Sequence, residues 1–176
     1  MVPDTLHTPR LVLRPPRVTD AATLFERYAQ DPEVTRYLTF RPHRELAQTE
    51  AFIHGCLGAW DEGTRQPWVL TRAEDDSAIG MLDLRLAEYK AEVGYVLARA
   101  AWGQGLMTEA LRAVVELGLA EPPLYRIAAV CDMDNTPSAR VLEKAGMQRE
   151  GRLRRYILHP NVSAEPRDVY VYARTR

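Results

Sequence analysis

The sequence has no apolar run of about 18 residues, which is the length that a helix needs to cross a membrane. Its first residues, numbered 1–5, have neither the basic start nor the apolar stretch of a signal peptide. Cysteine is scarce, and the two cysteines, Cys56 and Cys131, lie too far apart to form a metal-ligand motif. We therefore expect a cytoplasmic protein that works in a reducing compartment and has no membrane partner.

An excess of charge of either sign is also missing. The chain has 23 Lys and Arg residues against 24 Asp and Glu residues, so its formal net charge is −1. This balance argues against binding to nucleic acid through bulk positive charge, and we predict no nucleic-acid partner. The histidines show no ligand spacing, so no metal is expected either. They are His7, His43, His54 and His159.

No internal repeat and no low-complexity segment interrupts the chain. Its 176 residues are 46% hydrophobic, which is enough to bury a core and excludes a mainly disordered state. The length suits one domain, and we predict that residues 1–176 form it.

The first half of the chain predicts one strand, then two helices, then three strands. Prolines end the first strand and the first helix, and apolar residues recur at helical spacing within both helices. Short connections between the three later strands predict antiparallel hairpins. The predicted elements are a strand at 10–14, helices at 19–31 and 45–60, and strands at 68–71, 78–86 and 91–97.

The second half alternates helices with strands, and one of its strands is a near-continuous apolar run of the kind that is buried on both faces. The order predicts a mixed α/β sheet with one parallel crossover at its centre. The predicted elements are a helix between Gly105 and Pro122, the apolar strand at 125–131, a helix at 135–146 that ends at Gly146, and strands at 148–158 and 169–173. The first of these helices is predicted to bury Met107, Ala110, Leu111, Val114 and Leu117.

The turn Gly103-Gln104-Gly105, between a strand and a helix, is the most informative short motif. Glycines let the backbone approach a ligand closely, and the unpaired amides of a helix N-terminus suit an anion such as a pyrophosphate. The alternative is a sharp turn without a ligand. A dinucleotide is a second possible ligand, with Asp132 on its ribose. However, Thr108 occupies the third glycine position of that fingerprint, and antiparallel strands precede the turn.

Several ordered segments together favour coenzyme A. They resemble the acetyl-CoA signature of the GNAT acetyltransferases and, more narrowly, the branch that contains bacterial ribosomal-protein N-terminal acetyltransferases. The likeness spans nearly the whole chain, through segments 8–14, 92–97, 102–111, 135–147 and 167–170.

This resemblance implies a GNAT-type α/β fold, with a mixed and mostly antiparallel sheet of about seven strands and helices on both faces. It also implies an enzyme that transfers an acetyl group from acetyl-CoA to a primary amine in a ternary complex. The amine would belong to a protein N-terminus or to a small molecule. The alternative is a catalytically silent CoA-binding sensor. A monomer and a homodimer both remain possible.

The resemblance further implies which residues bind the cofactor. The strand end is expected to present amides to the pantetheine arm, the glycine turn to hold the pyrophosphate, and the second helix to contribute from its first turn. The predicted cofactor-binding residues are Val96, Leu97, Trp102, Gly103, Gln104, Gly105, Leu106, Met107, Thr108, Asn135 and Ser138.

The chemistry also requires groups that move protons, because a protonated amine has no lone pair with which to attack. We predict that Glu92 is the base and that Ser138 is the acid near the sulfur. Tyr125, Tyr156 and Tyr170 are weaker candidates for the acid. We expect the acceptor to bind beneath the segment 35–60. The basic run Arg152, Arg154 and Arg155 is either a solvated strand face or a contact for an acidic partner.

Overall fold

The computed structural model describes residues 3–120 and 122–176. Met1 and Val2, which belong to the stretch assessed for a signal peptide, lie outside the described residues, as does Glu121. The strands are β1 (Leu6–His7), β2 (Leu11–Arg14), β3 (Arg65–Arg72), β4 (Ala78–Leu86), β5 (Lys90–Leu97), β6 (Arg126–Asp132), β7 (Gln148–Ile157) and β8 (Arg167–Thr175), and the α-helices are α1 (Asp20–Leu24), α2 (Leu46–Asp61), α3 (Leu106–Ala120) and α4 (Thr136–Lys144).

All eight strands form one sheet in the order β1-β2-β3-β4-β5-β6-β8-β7. Every neighbouring pair is antiparallel except β5 and β6, which are parallel and connected through α3. The predicted fold class, with its single parallel crossover, is therefore confirmed. The strand missing from the predicted order is β1, whose two residues are too few to show a periodic pattern.

Helices cover both faces of the sheet, as expected. On the first face, which we call the α3 face, α3 and α4 pack over a core that includes Val93, Ile127 and Tyr172. On the opposite face, the α2 face, α1 and α2 pack over Val69 and Met81. The helix predicted at 19–31 is α1, which continues as a π-helical turn over Phe25–Ala29. Among the described residues, no helix has the length and apolar character needed to cross a membrane.

Two predictions about burial are wrong. Leu117 is 44% exposed, because the buried stripe of α3 passes from Val114 to Gly118, one helical turn further on. The strand predicted to be buried on both faces buries only alternate residues: Ile127, Ala129 and Cys131 are covered, whereas Ala128 and Val130 are half-buried. The core on the α2 face contains no β6 residue, so these side chains keep part of their surface exposed.

The sheet splits between β5 and β6. Strand β4 pairs with β5 up to Leu97, whereas β6 pairs with β5 only from Lys90 to Glu92. Beyond Glu92 the two parallel strands separate, and β6 continues along β8 to Asp132. Helix α3 follows the carboxyl end of β5, and α4 follows that of β6. The split therefore opens where two helix N-termini lie, which is the usual ligand position in sheets with parallel strands.

Candidate active site

The glycine turn is built as the sequence predicted. Gly103 and Gly105 have φ values of 73° and 72°, a backbone conformation that side chains with a Cβ rarely adopt. Among the described residues other than its chain neighbours, a Cβ added to Gly103 would have no heavy atom within 4 Å, and one on Gly105 would have only the Arg10 guanidinium, at 3.7 Å. The outer surface of the turn is thus open, and it leads directly into the first turn of α3, whose amides lack helical partners. These features fit a pyrophosphate.

The edge of β5 that borders the split carries backbone groups of alternate residues. The amide of Ala98 donates to the carbonyl of Ile79 on β4 at 2.8 Å. In an antiparallel ladder only every second residue faces the partner strand, so the backbone of Tyr95 and Leu97 faces the split. The Leu97 carbonyl already accepts a hydrogen bond from Trp102 Nε1 at 2.7 Å. An extended ligand arm would find the remaining groups along this edge.

Val96 occupies a different position from Leu97. By the same alternation its backbone groups face β4, and its side chain packs against the core on the α2 face. The prediction that Val96 binds the cofactor therefore depends on its partly buried side chain rather than on its amide. Trp102 is 42% exposed and fastens the turn to the end of β5.

Tyr95 crosses the split and contacts Ser138. Its hydroxyl lies 2.7 Å from Ser138 Oγ and donates to the Ser138 carbonyl at 3.2 Å. Burial raises the pKa of Tyr95 well above its usual value, so the phenol stays protonated. Asn135 caps α4 by accepting a hydrogen bond from the Ser138 amide at 3.3 Å. The structure thus brings Asn135, Ser138 and Tyr95 together at the N-terminus of α4.

Tyr95 did not stand out in the sequence. Its alternation with Val93 and Leu97 indicated a shared face, and that pattern is equally typical of a core residue. Only the approach of α4 across the split makes its hydroxyl a neighbour of Ser138.

Glu92 lies on the opposite face of the sheet from this cluster, because side chains alternate along β5. It is the last residue of β5 that pairs with β6, so it stands where the split begins. Its carboxylate is 38% exposed and accepts a hydrogen bond from Arg85 Nη1 at 2.7 Å. Arg85 and Arg65 also bind Asp83, at 3.1 Å and 2.7 Å, which forms a row of alternating charges on the α2 face.

Three side chains beside Glu92 on the α2 face are only half-buried: Ala128, Val130 and Val171. We call the strip of sheet that they leave partly uncovered the α2-face groove. Ala128 is paired with Glu92, and Val130 with Val171. The groove combines an apolar floor with a carboxylate at one side, which suits an amine attached to a less polar body.

The loop after β7 borders the end of the sheet that carries this groove. Asn161 Nδ2 donates to the carbonyls of Thr35 and Phe40, at 2.8 Å and 2.7 Å, and the Tyr37 and His159 rings meet edge to face. His159 Nε2 also lies 3.7 Å from Asp132 at the end of β6. The segment predicted to lie over the acceptor is therefore joined to the loop that follows β7.

Asp132 has a structural role. Its carboxylate is buried and accepts two hydrogen bonds from Arg167 at the start of β8, at 2.6 Å and 3.0 Å. Burial alone would raise the pKa of Asp132, but the hydrogen bonds from Arg167 outweigh it and hold the pKa below its usual range. With both oxygens engaged, this carboxylate is not available to a ribose, which removes the observation that favoured a dinucleotide.

The weaker candidates for the acid lie in different places. Tyr125 precedes β6, at the opposite end of that strand from the split, and is 52% exposed. Tyr156 is equally exposed, in the irregular part of β7. Tyr170 is half-buried on the α3 face, beneath the Arg149 guanidinium at 4.6 Å. Of the three, Tyr170 alone lies at the carboxyl end of β6, where it pairs with Cys131.

Ion pairs occupy much of the basic run in β7. Arg152 binds Asp168, and Arg155 donates to Glu165 at 2.8 Å. Arg154 is exposed. Two of the three charges are thus compensated within the chain, which fits a solvated strand face; contact with an acidic partner stays a prediction.

Comparison with known proteins agrees with this geometry. Residues 10–148 match the family model described as an acetyltransferase (GNAT) domain. The chain is 34% identical over 156 residues to an uncharacterized N-acetyltransferase, p20, from Bacillus licheniformis, and the match covers 87% of each. A crystal structure of a GNAT-family acetyltransferase from Bacillus anthracis is 29% identical, with a TM-score of 0.85 and coverage of 97% of this chain and 98% of that one.

RimL, a ribosomal L7/L12 alpha-N-protein acetyltransferase solved in complex with coenzyme A, has the same fold. The TM-score is 0.83 over 96% of this chain and 95% of that one, at 20% identity. The chain therefore belongs to the GNAT acetyltransferase family and is an acetyl-CoA-dependent N-acetyltransferase. The resemblance to this family and the enzyme class that it implied are both confirmed. The roles of individual residues stay predictions.

Proposed function

We propose that this enzyme transfers the acetyl group of acetyl-CoA to the primary amine of a protein N-terminus or of a small molecule, by direct attack in a ternary complex. The split between β5 and β6 is the observation that carries the proposal. The glycine turn and α4 border the split on the α3 face, and Glu92 and the α2-face groove border it on the other. The two substrates would therefore meet through the split.

The cofactor would bind along the split. The backbone of Tyr95 and Leu97 would hold the pantetheine arm, and the turn from Gly103 to Gly105 would hold the pyrophosphate at the N-terminus of α3. Bound in this way, acetyl-CoA supplies an acyl group that its thioester already activates. RimL, which shares the fold, was solved with coenzyme A, and this supports the assignment of the cofactor.

Glu92 would take the proton from the acceptor, directly or through a water molecule. An amine of the lysine type has a pKa near 10.4 and an α-amine one near 7.7–8.0, so both are largely protonated at neutral pH. Arg85 on β4 fixes the Glu92 carboxylate through a hydrogen bond. An ionised carboxylate in this position can accept a proton from an ammonium group in the α2-face groove.

Ser138 would donate toward the sulfur that leaves. Its hydroxyl lies at the N-terminus of α4, where the helix dipole also favours a developing negative charge. The Tyr95 hydroxyl beside it stays protonated and holds the Ser138 hydroxyl in place.

Direct attack is favoured because neither cysteine can serve as an acyl carrier. Cys56 and Cys131 are both buried, and burial raises the pKa of each thiol to about 11. At neutral pH both stay thiols, which are poor nucleophiles.

A CoA-release assay on a panel of amines tests the proposal. The panel contains peptides with a free α-amine, the same peptides with a blocked N-terminus, and small primary amines. We expect turnover with at least one free amine, none with its blocked counterpart, and intersecting initial-rate lines when both substrates are varied. Binding of CoA without turnover on any acceptor would favour a sensor, and parallel initial-rate lines would exclude a ternary complex.

A further inference from the structure

The glycine turn is held from outside by a residue of the turn between β1 and β2. Arg10 Nη1 donates to the carbonyl of Gln104 at 2.9 Å, and its Nη2 is the heavy atom nearest to the position of a Gly105 Cβ. The Gln104 side chain is fixed as well: its amide donates to the Ala100 carbonyl at 3.0 Å and accepts from Arg72 at 3.2 Å. The middle residue of the turn is therefore held at both its backbone and its side chain.

The same arginine binds Glu109 in the first turn of α3. Arg10 Nε donates to Glu109 Oε2 at 2.7 Å, and the Arg10 amide donates to Oε1 at 3.0 Å. The Thr8 hydroxyl adds a third hydrogen bond to this carboxylate, to Oε1 at 2.6 Å. Burial would raise the pKa of Glu109, but the hydrogen bonds from Thr8 and Arg10 lower it below its usual value. Glu109 is thus a carboxylate with its charge matched by Arg10.

This carboxylate would oppose an anionic ligand if it stood alone. Glu109 lies one helical turn beyond Gly105, since its amide donates to the Gly105 carbonyl at 3.0 Å. An acidic residue in the first turn favours the helix, but it also places negative charge close to the predicted position of the pyrophosphate. Arg10 removes the conflict, because one guanidinium neutralises the carboxylate and fixes the shape of the turn.

We propose that Arg10 is a positioning residue for the cofactor, which acts through Gln104 and Glu109 to hold the glycine turn in its anion-binding form. This inference rests on the proposed function, because it takes acetyl-CoA as the ligand of the turn. We call the set Thr8, Arg10, Gln104 and Glu109 the clamp. Because the clamp shapes the pyrophosphate site, the effect of removing it should depend on the nucleotide part of the cofactor. An acetyl donor without the pyrophosphate places no group in the glycine turn, so its kcat/KM should not depend on the clamp.

The test compares acetyl-CoA with S-acetylpantetheine, which retains the thioester and the arm but lacks the pyrophosphate. For Arg10→Ala we expect kcat/KM with acetyl-CoA to fall about tenfold, mainly through KM, because charge-assisted hydrogen bonds are lost. With S-acetylpantetheine the value should stay within about twofold of the parent. With acetyl-CoA, the kcat/KM of Arg10→Lys should lie between the values of the parent and of Arg10→Ala. Lysine keeps the charge but lacks the planar fork that spans Gln104 and Glu109.

Arg17→Ala is the matched control, because Arg17 is also an exposed arginine paired with an aspartate, at 3.2 Å from Asp76. Arg17→Ala should leave kcat/KM unchanged with both acetyl donors. If Arg10→Ala lowers kcat/KM equally with acetyl-CoA and with S-acetylpantetheine, Arg10 has only a structural role. If it lowers kcat/KM with neither acetyl donor, the proposal is overturned. Adding Glu109→Gln to Arg10→Ala should recover part of the lost kcat/KM with acetyl-CoA, because it removes the carboxylate charge that Arg10→Ala leaves unopposed. Additive losses would instead indicate that Arg10 works independently of Glu109.

Calorimetric titration with CoA and with pantetheine separates this proposal from the proposed function. If the parent binds CoA but acetylates no amine, the proposed reaction fails, and the loss of CoA affinity in Arg10→Ala still reports on the clamp. If the parent acetylates an amine while Arg10→Ala binds CoA equally well, the clamp fails alone. A parent that binds no CoA would overturn both.

Discussion

At the scale of single residues, the contact between Tyr95 and Ser138 carries the most chemical information. It joins β5 to α4 across the split and gives the Ser138 hydroxyl a protonated neighbour. A serine alone is a weak acid, whereas a serine that a second hydroxyl orients can keep a hydrogen bond aimed at the leaving sulfur. The pair is therefore expected to act as a unit in the departure of the thiolate.

The Tyr95→Phe substitution tests this unit. We expect kcat to fall about fivefold, with KM for acetyl-CoA nearly unchanged, because the hydroxyl supports the acid rather than the binding of the cofactor. In a Ser138→Ala background the same change should have no further effect. Tyr172→Phe is the matched control, since Tyr172 is a buried tyrosine whose hydroxyl donates to Glu143 at 3.3 Å rather than to Ser138. Equal losses of kcat in both phenylalanine variants would argue for general loosening of the core.

Glu92→Gln tests the base. The amide cannot accept the proton of the acceptor, so acetyl transfer at neutral pH should fall by about 10²-fold or more. The acidic limb of the pH–rate profile should be lost with it, whereas CoA affinity should not change. Arg65→Gln is a control at the far end of the same charge row. An unchanged profile in Glu92→Gln would assign the proton transfer to another group.

At the scale of helices and strands, most elements could be predicted from the sequence because each carries a local signal. Proline steps mark ends, Asn135 marks a cap, and Gly146, at φ 87°, marks the end of α4. The separation of β5 from β6 could not be predicted, since it depends on which residues of two distant segments pair. The burial of β6 was predicted wrongly for a related reason: α1 and α2 pack over β3, β4 and the end of β5, and they leave Val130 half-buried.

The ion pair between Asp132 on β6 and Arg167 on β8, at the end of the split, predicts how stability depends on pH. Asp132 has a lowered pKa in the folded chain, so its contribution is present above its unfolded pKa, near 3.9, and is lost as pH falls through the folded value. Asp132→Asn should lower the free energy of unfolding at pH 7 by about 2 kcal/mol, less than for a fully buried pair because Arg167 is partly exposed.

Denaturant unfolding between pH 7 and pH 3 measures this effect. The difference between Asp132→Asn and the parent should shrink as the pH falls, because the parent loses the same ion pair by protonation. Asp134→Asn is a suitable control, since Asp134 binds the same arginine at 2.6 Å but is 70% exposed. A constant difference at every pH would show that the ion pair is not its source.

At the scale of the whole molecule, one feature organises the chemistry. The sheet is continuous through β4 and β5 on one side and through β6 and β8 on the other, and it opens between them. This opening connects the glycine turn on one face with Glu92 and the α2-face groove on the other. The family could be recognised from sequence because its motifs are short local segments, and three of them, 92–97, 102–111 and 135–147, lie at the edges of the opening. That the two faces of the sheet are connected through the opening could be seen only from the strand register of the structure.

A calorimetric titration of CoA into Gly105→Val, with Gly63→Val as the control, tests most directly whether the glycine turn binds the cofactor. Both glycines have positive φ, 72° and 68°, so valine strains the backbone comparably at each, by about 1–2 kcal/mol. Only Gly105 lies where the pyrophosphate is expected. We expect Gly105→Val to weaken CoA binding about tenfold or more, while Gly63→Val binds CoA like the parent and melts at a similar temperature to Gly105→Val. Parental affinity in Gly105→Val would contradict this expectation, because the glycine turn would then be only a turn.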